Sequence, residues 1–139
     1  MEIELLSQFS HKNIVSYYGS QRTKTSFNIF LEYISGNLFF LFWKQAQRFP
    51  PGGTIASLVE KYGPLPETLM RVYTRQILEG LEYLHVRNTV HRDIKGANVL
   101  VDNSGICKLA DFGTAKRISS IVEGETKYMP SIRGTVNWM

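Results

Sequence analysis

The chain has 139 residues, about one domain by length, and 43% of them are hydrophobic and 20% charged, an ordinary composition for a globular protein. Its formal net charge of +4 comes from Lys and Arg scattered among acids with no basic block, which argues against nucleic acid as a partner. A single cysteine, Cys107, excludes an internal disulfide framework and suits a reducing compartment. No apolar run reaches the ~20 residues of a spanning helix, and no signal-peptide pattern opens the sequence.

In chain order, Met1 to Phe9 carries apolar residues at Ile3, Leu5, Leu6 and Phe9, the pattern of a short helix end. Ile14 to Tyr18 and Phe27 to Ile34 are rich in β-branched and aromatic residues and read as strands separated by the polar SQRTKTS. Between Asn37 and Gly52 lie four of the eight phenylalanines and one of the two tryptophans. From Leu38 to Trp43 this stretch is six apolar residues long before Lys44, too short for a membrane span. Thr54 to Tyr62 is helix-like and stops at Gly63-Pro64. Pro66-Glu67 is a helix start, since Pro suits the first turn and Glu the positive end of the dipole. Leu69, Val72, Tyr73, Ile77, Leu81 and Leu84 then recur at helical spacing through to His85. Val99 to Val101, the turn DNSG and Ile106 to Leu109 form a hairpin pattern. Thr114 to Gly134 is polar, small and aperiodic, the signature of a long loop, and loops of that length are usually functional or disordered.

Three motifs carry chemistry. HRDIKGAN, from His91 to Asn98, sets an Asp and an Asn five residues apart, DFG follows with Asp111 eighteen residues after Asp93, and RGTVNWM spans Arg133 to Met139. DFG alone arises by chance; the H-R-D-x-x-x-x-N pattern with a hairpin leading into DFG does not. Together these segments resemble the protein kinase family. SHKNIVSYYGS, LEYI, GGTIASLVEKYGPL, YTRQILEGLEYLH, HRDIKGANVLVD and KLADFGTAK are similar to the corresponding stretches of MAP kinase kinase kinases of plant type. The lysine in HRDIKGAN points to Ser/Thr rather than Tyr specificity.

The resemblance implies an α+β, partial protein-kinase-like fold comprising the end of the small lobe, the hinge, helices D and E, the catalytic loop and the activation segment. Residues 1–36 would be a small-lobe remnant and hinge, 37–52 an insert, and 53–139 the start of the large lobe. The function it implies is ATP-dependent phosphoryl transfer to Ser or Thr of a protein substrate, a MAP kinase kinase, in a cytoplasmic signalling cascade, with the nucleus as a second location. Such transfer asks a protein for positioning and charge stabilisation more than covalent work. Asp93 would accept the substrate hydroxyl proton, Lys95 would lie against the transferring phosphate, and Asn98 and Asp111 would supply hard oxygen ligands to the Mg²⁺ that bridges ATP phosphates. Leu31 would be the gatekeeper, Glu32, Tyr33 and Ile34 the hinge whose backbone meets adenine, and Leu100 the residue beneath the adenine ring. Glu2 matches the helix-C glutamate. Leu6, Tyr17, His91 and Phe112 match the stacked apolar spine of an active kinase. Ser131 would be the main activating phosphosite, with Thr126 the runner-up. Ser131 sits four residues before Thr135 of the substrate-facing GT pair, and its phosphate would pair with Arg92.

The sequence departs from the family pattern in two ways. No G-x-G-x-x-G loop and no V-A-I-K-type lysine stands before Glu2, and no A-P-E-like motif stands before Met139, so the chain reads as the middle of a kinase. Removing residues 37–52 leaves LEYISGGTIASLVEKYG, which matches the family without a gap. The sixteen-residue insert reads as translated intron, as a genuine hinge insertion or as a partner-docking segment. The competing functional reading is a catalytically inactive chain that acts as a binding or decoy module.

Overall fold

The computed structural model describes residues 6–34 and 53–118. The expected insert, Glu2, Thr126, Ser131 and Thr135 lie outside the described residues. The frame is a long helix with a buried hairpin against it. The helix α2, Glu67–Val86, begins one residue after Pro66, whose fixed φ of −59° suits a helix entrance and whose missing N–H removes no helical bond. Its buried residues are Tyr73, Gly80 and Leu84, with Leu69, Ile77 and Leu81 packed at the edge of the core. Val72, expected in that stripe, is 48% exposed, because the buried face runs through Gly80 instead. A Cβ at Gly80 would lie 3.0 Å from the Asn13 carbonyl and 3.1 Å from Leu109 Cδ1, so any larger residue would require residue 13 or Leu109 to shift.

Among the described residues seven strands accompany the helices. β1, Tyr17–Arg22, pairs antiparallel with β2, Phe27–Leu31. β3, Gly53–Thr54, pairs with β5, Val99–Val101, which pairs with β6, Cys107–Leu109. β4, Thr89–Val90, pairs with β7, Lys116–Arg117. The hairpin predicted at Val99–Leu109 is β5–β6. Its turn is tied by Asp102 Oδ1, which accepts the amides of Ser104 at 2.8 Å and Ile106 at 2.9 Å, the local bonding that makes Asp a turn residue.

Two sequence expectations shift in the fold. The strand read at Ile14–Tyr18 instead forms at Tyr17–Arg22, so that Ser20, Gln21 and Arg22 of the supposed connection lie inside the ladder. The turn is confined to Thr23–Ser26, where the Thr23 amide donates to the Ser26 carbonyl at 2.8 Å and Thr23 Oγ1 accepts the Ser26 amide at 2.9 Å. Ile14 makes a single parallel bridge to Leu109 instead. It is flanked by the Leu109 amide on the Asn13 carbonyl at 2.9 Å and the Val15 amide on the Leu109 carbonyl at 3.0 Å. Second, the long loop read from Thr114 has an ordered start: Ala115 is buried and β7 pairs with β4.

A shorter helix, α1, Ile55–Tyr62, opens with a reciprocal cap. Thr54 Oγ1 accepts the Ser57 amide at 3.1 Å and Ser57 Oγ accepts the Thr54 amide at 3.0 Å, satisfying donors that a helix start leaves open. It closes at Gly63, whose φ of 84° favours glycine. The amino-terminal segment is fastened to α2 by polar contacts. The Ser10 amide donates to the Tyr83 hydroxyl at 2.9 Å, the His11 ring stacks on Tyr83 at 4.8 Å, and Lys12 pairs with Glu79 at 2.8 Å. Asn13 Nδ2 donates to the Cys107 carbonyl at 2.8 Å. The core therefore lies where residues 6–15, α2, the β5–β6 hairpin and Phe112 meet.

Candidate active site

The loop from His91 to Asn98 runs between β4 and β5, and its polar residues are held by named bonds. His91 is 1% exposed. Its Nε2 lies 3.0 Å from the Ala110 carbonyl and its Nδ1 lies 3.4 Å from the Asp93 amide. A neutral ring protonated on Nε2 donates to the first and accepts from the second. Burial pushes the ring's pKa below the ordinary 6.5, against the opposing pull of the Ala110 bond, Asp111 and Asp93, so the neutral form is favoured. The His91 carbonyl accepts from Thr114 Oγ1 at 3.0 Å, and Arg92 Nε donates to the Thr114 carbonyl at 2.6 Å. Arg92 adopts φ of 68°, an uncommon conformation for a side-chain-bearing residue. The loop and the segment after DFG are thus joined on both sides of the turn.

Asp93 is the centre of the arrangement. Its Oδ2 accepts from Asn98 Nδ2 at 2.9 Å and lies 2.9 Å from Lys95 Nζ. Asn98 Nδ2 also donates to the Asp93 carbonyl at 2.9 Å. With Asp93 side-chain exposure at 10% and that of Lys95 at 23%, these charge-assisted bonds hold one carboxylate orientation with little competition from water. Asn98 closes a short 3₁₀ turn, Gly96–Asn98. A Cβ on Gly96 would meet the Ala56 amide nitrogen at 3.1 Å, so the glycine of KGAN lets the loop press against the first turn of α1.

Asn98 and Asp111 are brought together by the hairpin. Val99 pairs with Leu109, and the Ala110 amide donates to the Asn98 carbonyl at 2.9 Å, so the two residues flank the open end of one ladder. Asp111 has φ of 61° and is exposed. Phe112 beside it is 1% exposed, with its ring 4.8 Å from His91 and 5.7 Å from Phe9. The burial of Phe112 turns the neighbouring carboxylate outward. With Asn98 Nδ2 committed to Asp93, the amide oxygen remains as the acceptor end. One amide oxygen and one carboxylate suit a cation that keeps water and substrate phosphate oxygens in its shell, as Mg²⁺ does. Among the described residues no group of three or more His, Cys, Asp or Glu could form a dedicated metal cage.

At the other end of the site, Leu31 closes β2 at 44% exposure and Tyr33 is 84% exposed, while Glu32 and Ile34 are half-buried. The Glu32 amide donates to the Ser16 carbonyl at 2.8 Å. Leu100 on β5 is half-buried and faces Lys108 across the ladder. Of the expected apolar spine, Leu6, His91 and Phe112 are buried and Tyr17 packs at the core's edge.

Sequence reasoning missed several residues that hold this site. Phe9 supports Phe112, Thr114 ties the DFG segment to His91, and Gln76 Oε1 accepts the Cys107 amide at 2.6 Å. Lys108 sits at 9% exposure in β6 and reaches Glu32 at 3.0 Å. Its signal was available: a lysine flanked by Cys107 and Leu109 in a strand whose neighbours are all apolar.

One oriented aspartate thus stands beside an Asn/Asp pair of oxygens, an arrangement able to offer a proton acceptor and hard oxygen ligands for a cation. The sequence pattern of the protein kinase domain matches residues 1–139, and the chain belongs to the protein kinase family. It is similar to the mitogen-activated protein kinase kinase kinase ANP1 of Arabidopsis thaliana, with 46% identity over 138 residues, covering 99% of this chain and 18% of that protein. It is also similar to the serine/threonine-protein kinase STE11 of Saccharomyces cerevisiae, with 42% identity over 138 residues, 99% of this chain and 17% of that protein. YODA, a mitogen-activated protein kinase kinase kinase of Arabidopsis thaliana, is 49% identical over 119 residues, 86% of this chain and 12% of that protein. The chain therefore spans less than a fifth of the length of these relatives.

Proposed function

We propose that this chain carries the catalytic centre of a Ser/Thr protein kinase of the MAP kinase kinase kinase type. It would act on a hydroxyl of a protein substrate, a MAP kinase kinase, in a cytoplasmic cascade. The observation that carries the proposal is the Asp93 carboxylate, gripped by Asn98 and Lys95 next to Asp111.

In that reading Asp93 orients the attacking hydroxyl and receives its proton. Lys95 sets a positive charge beside the same carboxylate, where it can steady the transferred phosphate. Asn98 and Asp111 offer oxygens to Mg²⁺, which when bound neutralises charge on the ATP phosphates. The backbone of residues 32–34, apart from the Glu32 amide already given to Ser16, meets adenine, with Leu31 at the back and Leu100 beneath. Glu2 takes the helix-C role. Phosphate on Ser131, or on Thr126 as the second choice, would pair with Arg92, which already donates to Thr114, through charge-assisted hydrogen bonds.

Binding of Mg·ADP measured by calorimetry, with and without Asp111→Asn, tests the nucleotide half of this reading. The expected result is magnesium-dependent binding to the parent chain and loss of the magnesium dependence in the variant. Binding with the same magnesium dependence in both would remove Asp111 from the metal role, and a parent chain that captures protein substrate but no nucleotide would favour the decoy function.

A further inference from the structure

A lysine is out of place in β6. Cys107, Lys108 and Leu109 are all buried, and the Lys108 side chain is only 11% exposed. Its ammonium lies 3.0 Å from Glu32 Oε1, and Glu32 is itself 21% exposed at its side chain. The other carboxylate oxygen, Oε2, accepts the Ser16 amide at 3.1 Å. The Glu32 amide closes a second bond to the Ser16 carbonyl at 2.8 Å. Burial opposes ionisation of Glu32, but the bonds from Lys108 and Ser16 outweigh it and hold the carboxyl below its ordinary 4.5. Glu32 is thus tied by three hydrogen-bonding contacts to two separate parts of the chain.

An ion pair this dry is poor evidence of net stabilisation, because desolvating both charges offsets much of their attraction. What it does supply is geometry. All five residues of β2 are exposed, so little apolar packing fixes the end of that strand. Lys108, by contrast, stands on a strand whose neighbours Val99, Val101, Cys107 and Leu109 are each 1–2% exposed. Directly opposed residues in a ladder project to the same face, so Leu100, the partner of Lys108, shares the side from which Lys108 reaches Glu32. The pair fixes the segment after β2 at a set distance from Leu100.

We propose that Lys108 is a positioning residue for nucleotide. Through Glu32 it locks residues 31–34 against the β5–β6 hairpin, so that the hinge backbone and Leu100 form two walls of one adenine slot. This rests on the reading of the site as a kinase nucleotide site.

The test uses the full chain with Lys108→Met, Lys108→Gln and Lys108→Arg, followed by hydrogen exchange at residues 31–34 without nucleotide, calorimetry with Mg·ADP, and steady-state kinetics in ATP. Lys108→Met should speed exchange at residues 32–34 on the order of tenfold while leaving α2 protected. It should weaken Mg·ADP by about tenfold, the loss of one charge-assisted contact's worth of order. KM for ATP should rise by more than kcat falls, and Lys108→Arg should restore both exchange and affinity. If Lys108→Met does not fold, Lys108→Gln, which keeps a donor but no charge, should show the same changes at smaller size. Unchanged exchange at residues 32–34 overturns the proposal, as does faster exchange with wild-type Mg·ADP affinity. A parent chain that binds no Mg·ADP refutes the nucleotide site itself and with it the positioning role; faster exchange in that case assigns Lys108 to hinge order alone.

Discussion

Two antiparallel hairpins in this chain share a backbone design and differ in nearly everything else. In β5–β6 every residue except Leu100 is buried, and the hairpin lies between α2, the 13–15 segment and Phe112. In β1–β2 the second strand is exposed throughout, with Phe27 and Phe30 each 51% exposed and Ile29 38%. Strand pairing is therefore not what makes a hairpin stable here; the surface behind it is. The residues proposed to hold Mg²⁺ hang from the buried hairpin: Asn98 enters it and Asp111 leaves it. Residues 31–34, proposed to meet adenine, hang from the exposed one, Leu100 from the buried one, and Glu32–Lys108 at 3.0 Å is a tether between them. In the proposed reading, the oriented carboxylate belongs to the well-packed part and residues 31–34 to the part with fewer buried apolar contacts.

The widest separation between the hairpins should appear on truncating one apolar side chain in each. Leu109, at 1% exposure, should cost about 2–5 kcal/mol as Leu109→Ala. Phe30→Ala should cost under about 1 kcal/mol, since half its surface already faces water. Urea denaturation of both variants gives the comparison directly, and equal costs would break it.

Gly80→Ala sharpens the account of why the buried hairpin is rigid. Alanine in a helix interior should gain about 1 kcal/mol in intrinsic propensity. Against that, its Cβ would press on the Asn13 carbonyl at 3.0 Å and on Leu109 at 3.1 Å, and overpacking costs about 1–3 kcal/mol. The expected outcome is a net loss of about 1 kcal/mol by the same denaturation, with faster amide exchange at Val15 and Leu109. A stabilised variant would show that the helix and residue 13 can move apart.

Acid should act on the two hairpins in separate windows. His91 has its pKa held below 6.5 by burial, so the unfolded chain takes up this proton first. Stability tied to the neutral ring is present above pH 6.5 and declines as pH falls below it. Glu32 is also depressed, below 4.5, so its pairing with Lys108 persists above that value and is lost only as pH drops further. Thermal unfolding across this range should show the first decline below pH 6.5, and exchange at residues 32–34 should accelerate only below pH 4.5. Loosening of the hinge segment at pH 6 would contradict the order.

Much of this was legible in the sequence because it was local. Helix α2 announces itself by the recurrence from Leu69 to Leu84, and the β5–β6 hairpin by two apolar runs flanking an Asp-Asn-Ser-Gly turn. Asp93, Asn98 and Asp111 could be read as one site because their spacing is a motif. The misread parts are those decided by contacts distant in sequence. β4 and β7 have two residues each and no pattern of their own, so their pairing became visible only in the fold. The polar Ser20, Gln21 and Arg22 stay in β1 because neither face of that end is buried, which removes the alternation that marks a strand. The apolar flanks of Lys108 hint at its burial, but nothing in its neighbourhood names Glu32 as its partner. The family relationship, by contrast, was readable from quoted segments alone and extends over residues 1–139.

The central claim is that Asp93, held by Asn98 and Lys95, is the group that directs the substrate hydroxyl. Rapid-quench measurement of phosphate transfer to a Ser/Thr protein substrate, paired with Mg·ADP affinity, tests it with Asp93→Asn. That change keeps the size of the side chain, removes its ability to take a proton and takes away the charge that faces Lys95. The account predicts a fall of about 10²–10⁴-fold in the transfer rate, with nucleotide affinity unchanged. Transfer at the parent rate would contradict it.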